Sequence, residues 1–473
     1  MSQMVLGYEK LANKSQKTSP ILILFFLLIT GTILRFFQIE IHPLWLDEAM
    51  TYHFSLNPFL EYWNLISAGG EVHPPLFYWI EWIALQFGNS EFVLRFFPAI
   101  FGILSIPLVY CLGRELFDSI EVGLLAAALL TFSPFHIAYS QEARMYSLVT
   151  FFSIIALIFY TRAIRTEQLK NWIFFGIFSA LTLYTHFYPA IFIGILYLLA
   201  FYRKKWDYKQ IAISLGLLSI ILLPLIPIAL QLFTIRTAGI PTWGLSGLQF
   251  ILSTLVKYSF SSIIGLFILF PLFIVAIIEK RNEDFRYLAF GLAMVLIISI
   301  ALASYMPMVE RYVLFLTPIY YVGIAGTYSL FKKEPKEGPK TKIIFPILIV
   351  WIFLLSSPGL IGYYTTGEQY DWRGAAGYLS DHETEFDTLY LMPGYNSVPL
   401  EYYYMPVEIE IGKVSTIQDL NISSLDSRDF IVYTSDVQAT DKELMKWLNE
   451  NSTPVWKGSG IIIATISQGE IIN

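Results

Sequence analysis

The chain has 473 residues, of which 55% are hydrophobic, 17% aromatic and only 14% charged, a balance that excludes a soluble globular enzyme and marks a polytopic membrane protein. Its net charge of -6 comes from acidic residues in loops and in the C-terminal tail and carries no signal for nucleic acid. The single cysteine, Cys111, lies inside an apolar run, so an intramolecular disulfide is excluded.

Residues 1–20 are polar and lysine-bearing, and the apolar run from Ile21 to Phe37 is too long for a signal peptide and lacks a small-residue cleavage site. It is expected to be an uncleaved first span. Further apolar runs fall at 94–113, 121–138, 146–163, 171–186, 188–202, 210–233, 261–278, 287–305, 312–331 and 343–363, about eleven in all with the first at 20–39. Every second connection is basic, from Lys10, Lys14 and Lys17 through Arg162, Arg165 and Lys170 to Lys332, Lys333 and Lys336. The positive-inside rule then puts the N-terminus in the cytoplasm and the tail outside a plasma (inner) membrane.

Residues 73–88 break the pattern: they are apolar but short, open on Pro74-Pro75 and carry Glu81. A helix of about 15 residues reaches about 22 Å against a hydrocarbon core of about 30 Å, so this segment is placed in the interface plane. The first external loop then runs from about 40 to 93, and a second, from 234 to 260, contains Gly239, Gly244 and Gly247 and reads as a lid or a connector. The expected division is a transmembrane catalytic domain over 1–363 and an external domain over 364–473. In the tail, β-like runs at Thr388–Met392, Phe430–Thr434 and Ile461–Ile466 alternate with helical ones at Trp372–Leu379 and Lys442–Glu450, which predicts a small α/β domain. No inverted repeat of the transporter kind is found.

The chemistry is carried by polar residues at the outward ends of the spans. Asp47 and Glu48 stand side by side in the first external loop, and His73, Arg95, Glu142, Arg144, His186, Tyr188 and Arg311 are expected on the same membrane face. Carboxylates with several arginines at headgroup depth suit an anionic phosphate ester on a long lipid. Guanidinium groups hold the phosphate, and a carboxylate takes a proton from an incoming hydroxyl. Structural readings compete at each position: Asp47 as N-cap of a helix over 48–54, His73 as a residue shaping the entry to the next helix, Arg144 as a snorkelling arginine, His186 and Tyr188 as an aromatic belt. Glu142 and Arg144, two residues apart, would face different ways on a helix and need separate partners.

Five motifs in fixed order carry a resemblance: Leu46-Asp47-Glu48-Ala49 after Trp45, His73-Pro74-Pro75-Leu76, Ser140-Gln141-Glu142-Ala143-Arg144-Met145-Tyr146 after Ser133-Pro134, Tyr184-Thr185-His186-Phe187-Tyr188, and Glu310-Arg311-Tyr312. From about 20 to 330 the chain resembles the GT-C superfamily of membrane glycosyltransferases, in particular the dolichyl-phosphate-mannose protein mannosyltransferase group, family 39, which includes the lipid A aminoarabinose transferase. More weakly, Asp371-Trp372-Arg373-Gly374-Ala375-Ala376 resembles the tails of bacterial and archaeal members.

The resemblance implies an α-helical polytopic fold with an extracytoplasmic α/β domain. It implies a hexosyl or pentosyl group moved, with inversion, from a polyprenyl-phosphate donor to a hydroxyl or amino acceptor on protein, lipid or glycan at the outer face. Asp47 corresponds to the general base, with Glu48 assisting. The phosphate is a good leaving group, so arginine neutralisation suffices; Arg144 and Arg95 are assigned that task and His73 a sugar or phosphate contact. The remaining candidates, Glu142, His186, Tyr188 and Arg311, are grouped with the donor site. No cofactor is required on this reading, and a divalent cation is left open. The alternatives are a transporter or flippase of lipid-linked sugars, which calls for ionisable residues at mid-bilayer, and a transferase of another lipid-linked group.

Overall fold

The computed structural model describes residues 20–68, 73–166, 168–203, 208–236, 244–279, 282–330, 339–366, 370–405, 409–422, 425 and 428–466. Two compact units are present. One holds the chain up to Gln38, Asn57–Gly88 and Val93–Tyr364; the other holds Ile39–Leu56, Asn89–Phe92 and the chain from Thr365 onward. The last stretch of the second unit begins at Thr365, and the first external loop is divided: its two ends belong with this C-terminal unit.

In chain order the first helices are α1 (Pro20–Phe36), α2 (Leu46–Ser55), α3 (Phe59–Ser67), α4 (Leu76–Ala84), α5 (Glu91–Phe117), α6 (Ile120–Thr131) and α7 (Pro134–Ala138). They continue with α8 (Tyr146–Arg165), α9 (Leu169–Thr185), α10 (Ala190–Tyr202), α11 (Tyr208–Leu222), α12 (Ile226–Arg236), α13 (Gly247–Tyr258), α14 (Ile263–Ile278), α15 (Glu283–Leu302), α16 (Thr317–Gly326) and α17 (Pro339–Thr365). Among the described residues each of the eleven apolar runs is helical over most of its length, with a break at Phe132-Ser133 in the third. Among the described residues six helices are long and apolar enough to cross a membrane: Glu91–Phe117, Tyr146–Arg165, Tyr208–Ile235, Glu283–Leu302, Glu310–Leu330 and Phe345–Thr365. A seventh span results if α13 and α14, bent by 90°, count as one, and α1, α6 and α10 are apolar but shorter. The protein is a multi-pass membrane protein.

Segment 73–88 contains only α4 and a short 3-10 turn, too little to span. The stretch 234–260 holds α13, and its residues 237–243 lie outside the described ones. Pro224 interrupts the seventh run, separating α11 from α12 with a 3-10 turn, because proline removes a helix donor. Neighbouring helices approach closely where side chains are small: a Cβ on Gly176 of α9 would come within 3.0 Å of the Ser214 carbonyl on α11.

The two ends of α8 differ in chemistry. At its C-terminus Arg165 Nε donates to Asp284 Oδ2 at 2.6 Å, and Arg203, from the end of α10, donates to Asp284 Oδ1 at 2.8 Å. These are loops read as cytoplasmic from their charge. Tyr146 begins the same helix, and its 20 residues rise about 30 Å, the depth of a hydrocarbon core.

In the second unit a five-stranded sheet has the order β2-β1-β3-β5-β4, with β1 (Thr388–Met392), β2 (Glu410–Lys413), β3 (Asp429–Thr434), β4 (Ser452–Lys457) and β5 (Ile461–Ile466). β1 runs parallel to both β2 and β3, and β5 antiparallel to β3 and β4. Period-two alternation feeds two cores. Leu389, Leu391, Phe430, Val432, Ile461 and Ile463 pack on one face with Trp372, Ala375 and Leu379 of α18 (Trp372–Asp381) and Leu400 of α19 (Ser397–Tyr403). Met392, Ile431, Tyr433 and Ala464 pack on the other with Leu444 and Leu448 of α21 (Lys442–Asn451). Between β3 and α21 lies the single turn α20 (Val437–Thr440). The result is a three-layer α/β domain, as the tail pattern predicts.

Candidate active site

Within the membrane unit, six of the candidate residues and their neighbours form one cluster. The loop 139–145 between α7 and α8 is not helical. Instead the chain bends so tightly that the Arg144 N–H donates to the Glu142 carbonyl at 2.7 Å. The bend turns the Arg144 side chain, 4% exposed, toward His73: Arg144 Nη2 lies 3.4 Å from His73 Nε2. A guanidinium only donates, so this His73 nitrogen accepts and the ring is neutral. The His73 and His186 rings are 6.0 Å apart, and the His186 ring is 6.1 Å from Tyr146 and 5.5 Å from Tyr312.

His186 follows the last residue of α9, and its Nδ1 accepts the Tyr188 backbone N–H at 3.1 Å, which leaves the proton of the neutral ring on Nε2. Tyr188 is buried; its ring is 6.1 Å from Tyr312 and its hydroxyl is hydrogen-bonded to Ser299 Oγ. The Arg311 guanidinium lies 6.0 Å from the Tyr146 ring centroid. Tyr139 stands beside the same groups: burial pushes its phenol well above the usual range, the Glu142 carboxylate adds to that and Arg311 opposes it. His73, Glu142, Arg144, His186, Tyr188 and Arg311 are thus brought together around Tyr146, Tyr139 and Tyr312. The N-terminus of α8 adds the positive end of a helix dipole beside Arg144. Arg95 is buried, 3% exposed, on α5.

The loop is held by residues whose roles the sequence did not disclose. Gln141 Nε2 donates to the carbonyls of Leu34, Arg35 and Phe37, at 3.3, 3.2 and 2.7 Å, and so caps the end of α1, while its Oε1 accepts from Tyr363 at 2.7 Å. Arg35 is fully buried and donates to the Leu130 carbonyl at 3.1 Å and to His136 Nδ1 at 2.9 Å. Its position on α1 suggests a headgroup contact, yet it pins α1 to the α6–α7 corner. A cavity of about 650 Å³ lined by Arg165, Arg203, Asn282 and Asp284 lies at the opposite end of α8 and is separate from this cluster.

Asp47 and Glu48 belong to the second unit, on α2. The N-cap of α2 is Trp45, whose carbonyl accepts from Glu48 N and Ala49 N at 3.0 Å each, so the reading of Asp47 as a cap is corrected. Asp47 is a first-turn residue with a half-buried side chain, and Glu48 is 2% exposed on the same buried face as Thr51 and Ser55. First-turn carboxylates are favoured there by the helix dipole. Among the described residues no three His, Cys, Asp or Glu side chains are placed to hold a metal ion.

Residues 72–230 match the family model described as dolichyl-phosphate-mannose-protein mannosyltransferase. The fold is shared with solved structures of ArnT and AglB. The structure is similar to that of ArnT from Cupriavidus metallidurans bound to undecaprenyl phosphate, with a TM-score of 0.61 and 13% identity over 94% of this chain and 98% of that one. It is also similar to the archaeal oligosaccharyltransferase AglB from Archaeoglobus fulgidus in complex with an inhibitory peptide and a dolichol-phosphate, with a TM-score of 0.53 and 12% identity over 96% of this chain and 75% of that one. At these identities the likeness is one of fold. An uncharacterised protein of Aquifex aeolicus (strain VF5) is 28% identical over 206 residues, and the match spans 41% of each chain.

Proposed function

We propose that the protein is an inverting glycosyltransferase that moves a sugar from a polyprenyl-phosphate donor to a hydroxyl or amino acceptor at the outer membrane face. The observation that carries this reading is the Arg144–His73 contact inside a cluster of histidines and tyrosines at the N-terminal end of α8. It sits on a fold shared with ArnT, a structure bound to undecaprenyl phosphate. Arg144, assisted by Arg95 and Arg311, neutralises the phosphate, and the histidines and tyrosines contact the sugar.

In the reaction the acceptor oxygen or nitrogen attacks the anomeric carbon from the face opposite the lipid phosphate. A new bond to that carbon forms as the bond from carbon to phosphate oxygen breaks. The electron pair leaves with the polyprenyl phosphate, and the acceptor proton passes to the Asp47 carboxylate, with Glu48 orienting the acceptor. Protein, lipid and glycan acceptors are all compatible with this chemistry.

The donor class is tested by thermal unfolding of the full-length protein in detergent micelles with undecaprenyl phosphate or undecaprenol. A ligand at about a hundredfold its Kd stabilises by about 2.7 kcal/mol. The phosphate is expected to raise the melting temperature and the alcohol to leave it unchanged; equal shifts with both would refute phosphate recognition.

A further inference from the structure

The helix that carries the acidic pair belongs to the C-terminal unit, and a cluster of polar contacts fixes it there. Glu91, 8% exposed at the start of α5, is the centre. One nitrogen of Arg373, Nη2, lies 2.7 Å from both Glu91 carboxylate oxygens and also donates to the Glu40 carbonyl at 3.0 Å. Tyr403, at the end of α19, donates its hydroxyl proton to Glu91 Oε1, and the Tyr403 hydroxyl oxygen accepts the Leu44 backbone N–H at 2.7 Å. Burial and the Glu91 carboxylate push the Tyr403 phenol well above its usual range, so this proton stays in place.

The segment before α2 is therefore tied at both Glu40 and Leu44, and Asp47 stands three residues beyond the second tie. Further along α2, Tyr52 packs edge-on against Tyr402 at 4.8 Å, and the Tyr402 hydroxyl donates to the Asn89 carbonyl. Each feature of the tail motif Asp371-Trp372-Arg373-Gly374 has a use in this arrangement. Asp371 caps α18 through the Gly374 N–H at 2.8 Å, and Trp372 is buried in the sheet core. Arg373, on the same turn, reaches Glu91. A Cβ at position 374 would fall 2.2 Å from the Asp371 carboxylate and displace the cap.

We propose that Glu91, Arg373 and Tyr403 are positioning residues for the acidic pair, so that the C-terminal domain sets the seat of α2 and through it the orientation of Asp47. This inference rests on the reading of Asp47 as proton acceptor. A base displaced by about 1 Å can lose a hundredfold in rate without any loss of substrate binding.

The test uses the full-length protein with radiolabelled hexoses and pentoses on undecaprenyl phosphate as donors and cell membranes as acceptor. Tyr403→Phe keeps the ring and its packing but removes the hydroxyl shared by Leu44 and Glu91. It is expected to lower kcat roughly ten- to a hundredfold with donor KM within about twofold. Hydrogen exchange should quicken in the peptide covering Leu44 while strands β1 and β3 keep their protection. Arg373→Lys, which keeps a cation beside Glu91, should retain most of the activity that Arg373→Ala loses. In an Asp47→Asn background, Tyr403→Phe should cost little more, because its effect passes through Asp47. Unchanged exchange at Leu44, a fall confined to donor binding, or losses that add to those of Asp47→Asn would each overturn the positioning role. Near-normal transfer by Asp47→Asn alone would instead overturn the reading on which the role rests, and the two failures are thereby told apart.

Discussion

Asp47→Asn is expected to lower sugar transfer by at least about a hundredfold, since a general base contributes typically 10² to 10⁴ in rate, while donor binding and melting temperature stay near wild type. The amide keeps the size of the carboxylate and removes only its capacity to take a proton. Because Trp45 and not Asp47 occupies the cap position, the substitution removes no side-chain cap from α2. Glu48→Gln should be damaged by a smaller factor if, as proposed, Glu48 orients the acceptor rather than reacting; its side chain is buried on the face shared with Thr51 and Ser55. Initial rates with a labelled donor, alongside donor titration and thermal unfolding, check this. A near-normal rate for Asp47→Asn would move the base to Glu48 or Glu142.

Arg144→Ala is expected to weaken donor binding about ten- to a hundredfold, since a charge-assisted hydrogen bond contributes roughly 1.5 to 3 kcal/mol. Its guanidinium is almost fully buried beside His73, a location that a residue merely reaching for bulk headgroups would not take. Arg144→Lys should recover only part of the loss, because lysine offers a point charge in place of the planar fork. Equilibrium binding of a labelled undecaprenyl-phosphate sugar to detergent-solubilised variants provides the check. Unchanged affinity in a folded Arg144→Ala protein would make this arginine a structural anchor.

Much of this architecture was legible from the residues. The eleven apolar runs are helical over most of their length, since burial in lipid requires every backbone group to be satisfied within its own segment. In the tail, β1 and β5 have the predicted bounds because their residues alternate between two buried faces. The strands that escaped notice, β2 and β4, are edges: one is Glu410–Lys413, with both terminal residues exposed, and the other carries Pro454 and a register shift next to it. Edge strands hold polar residues and proline, which erase the alternation.

The site was legible in part. Motif order brought His73, Glu142, Arg144, His186, Tyr188 and Arg311 into view, and Tyr146 and Tyr312 lay inside the same motifs. The tight bend within loop 139–145 left no signal in the sequence, because its shape depends on Gln141 capping α1 more than a hundred residues away in sequence. Arg373 lay inside the tail motif, but nothing local in the sequence linked it or Tyr403 to Glu91. Their contacts join residues 282 and 312 positions apart, and only the folded chain reveals them.

The central claim is tested most directly by reconstituting the protein in liposomes with radiolabelled sugars on undecaprenyl phosphate and supplying cell membranes as acceptor. The account predicts that each sugar gained by the acceptor is matched by one undecaprenyl phosphate released, with the product anomer opposite to that of the donor. A protein that carries the intact lipid-linked sugar across the bilayer, with no polyprenyl phosphate released and no label in the acceptor, would contradict it.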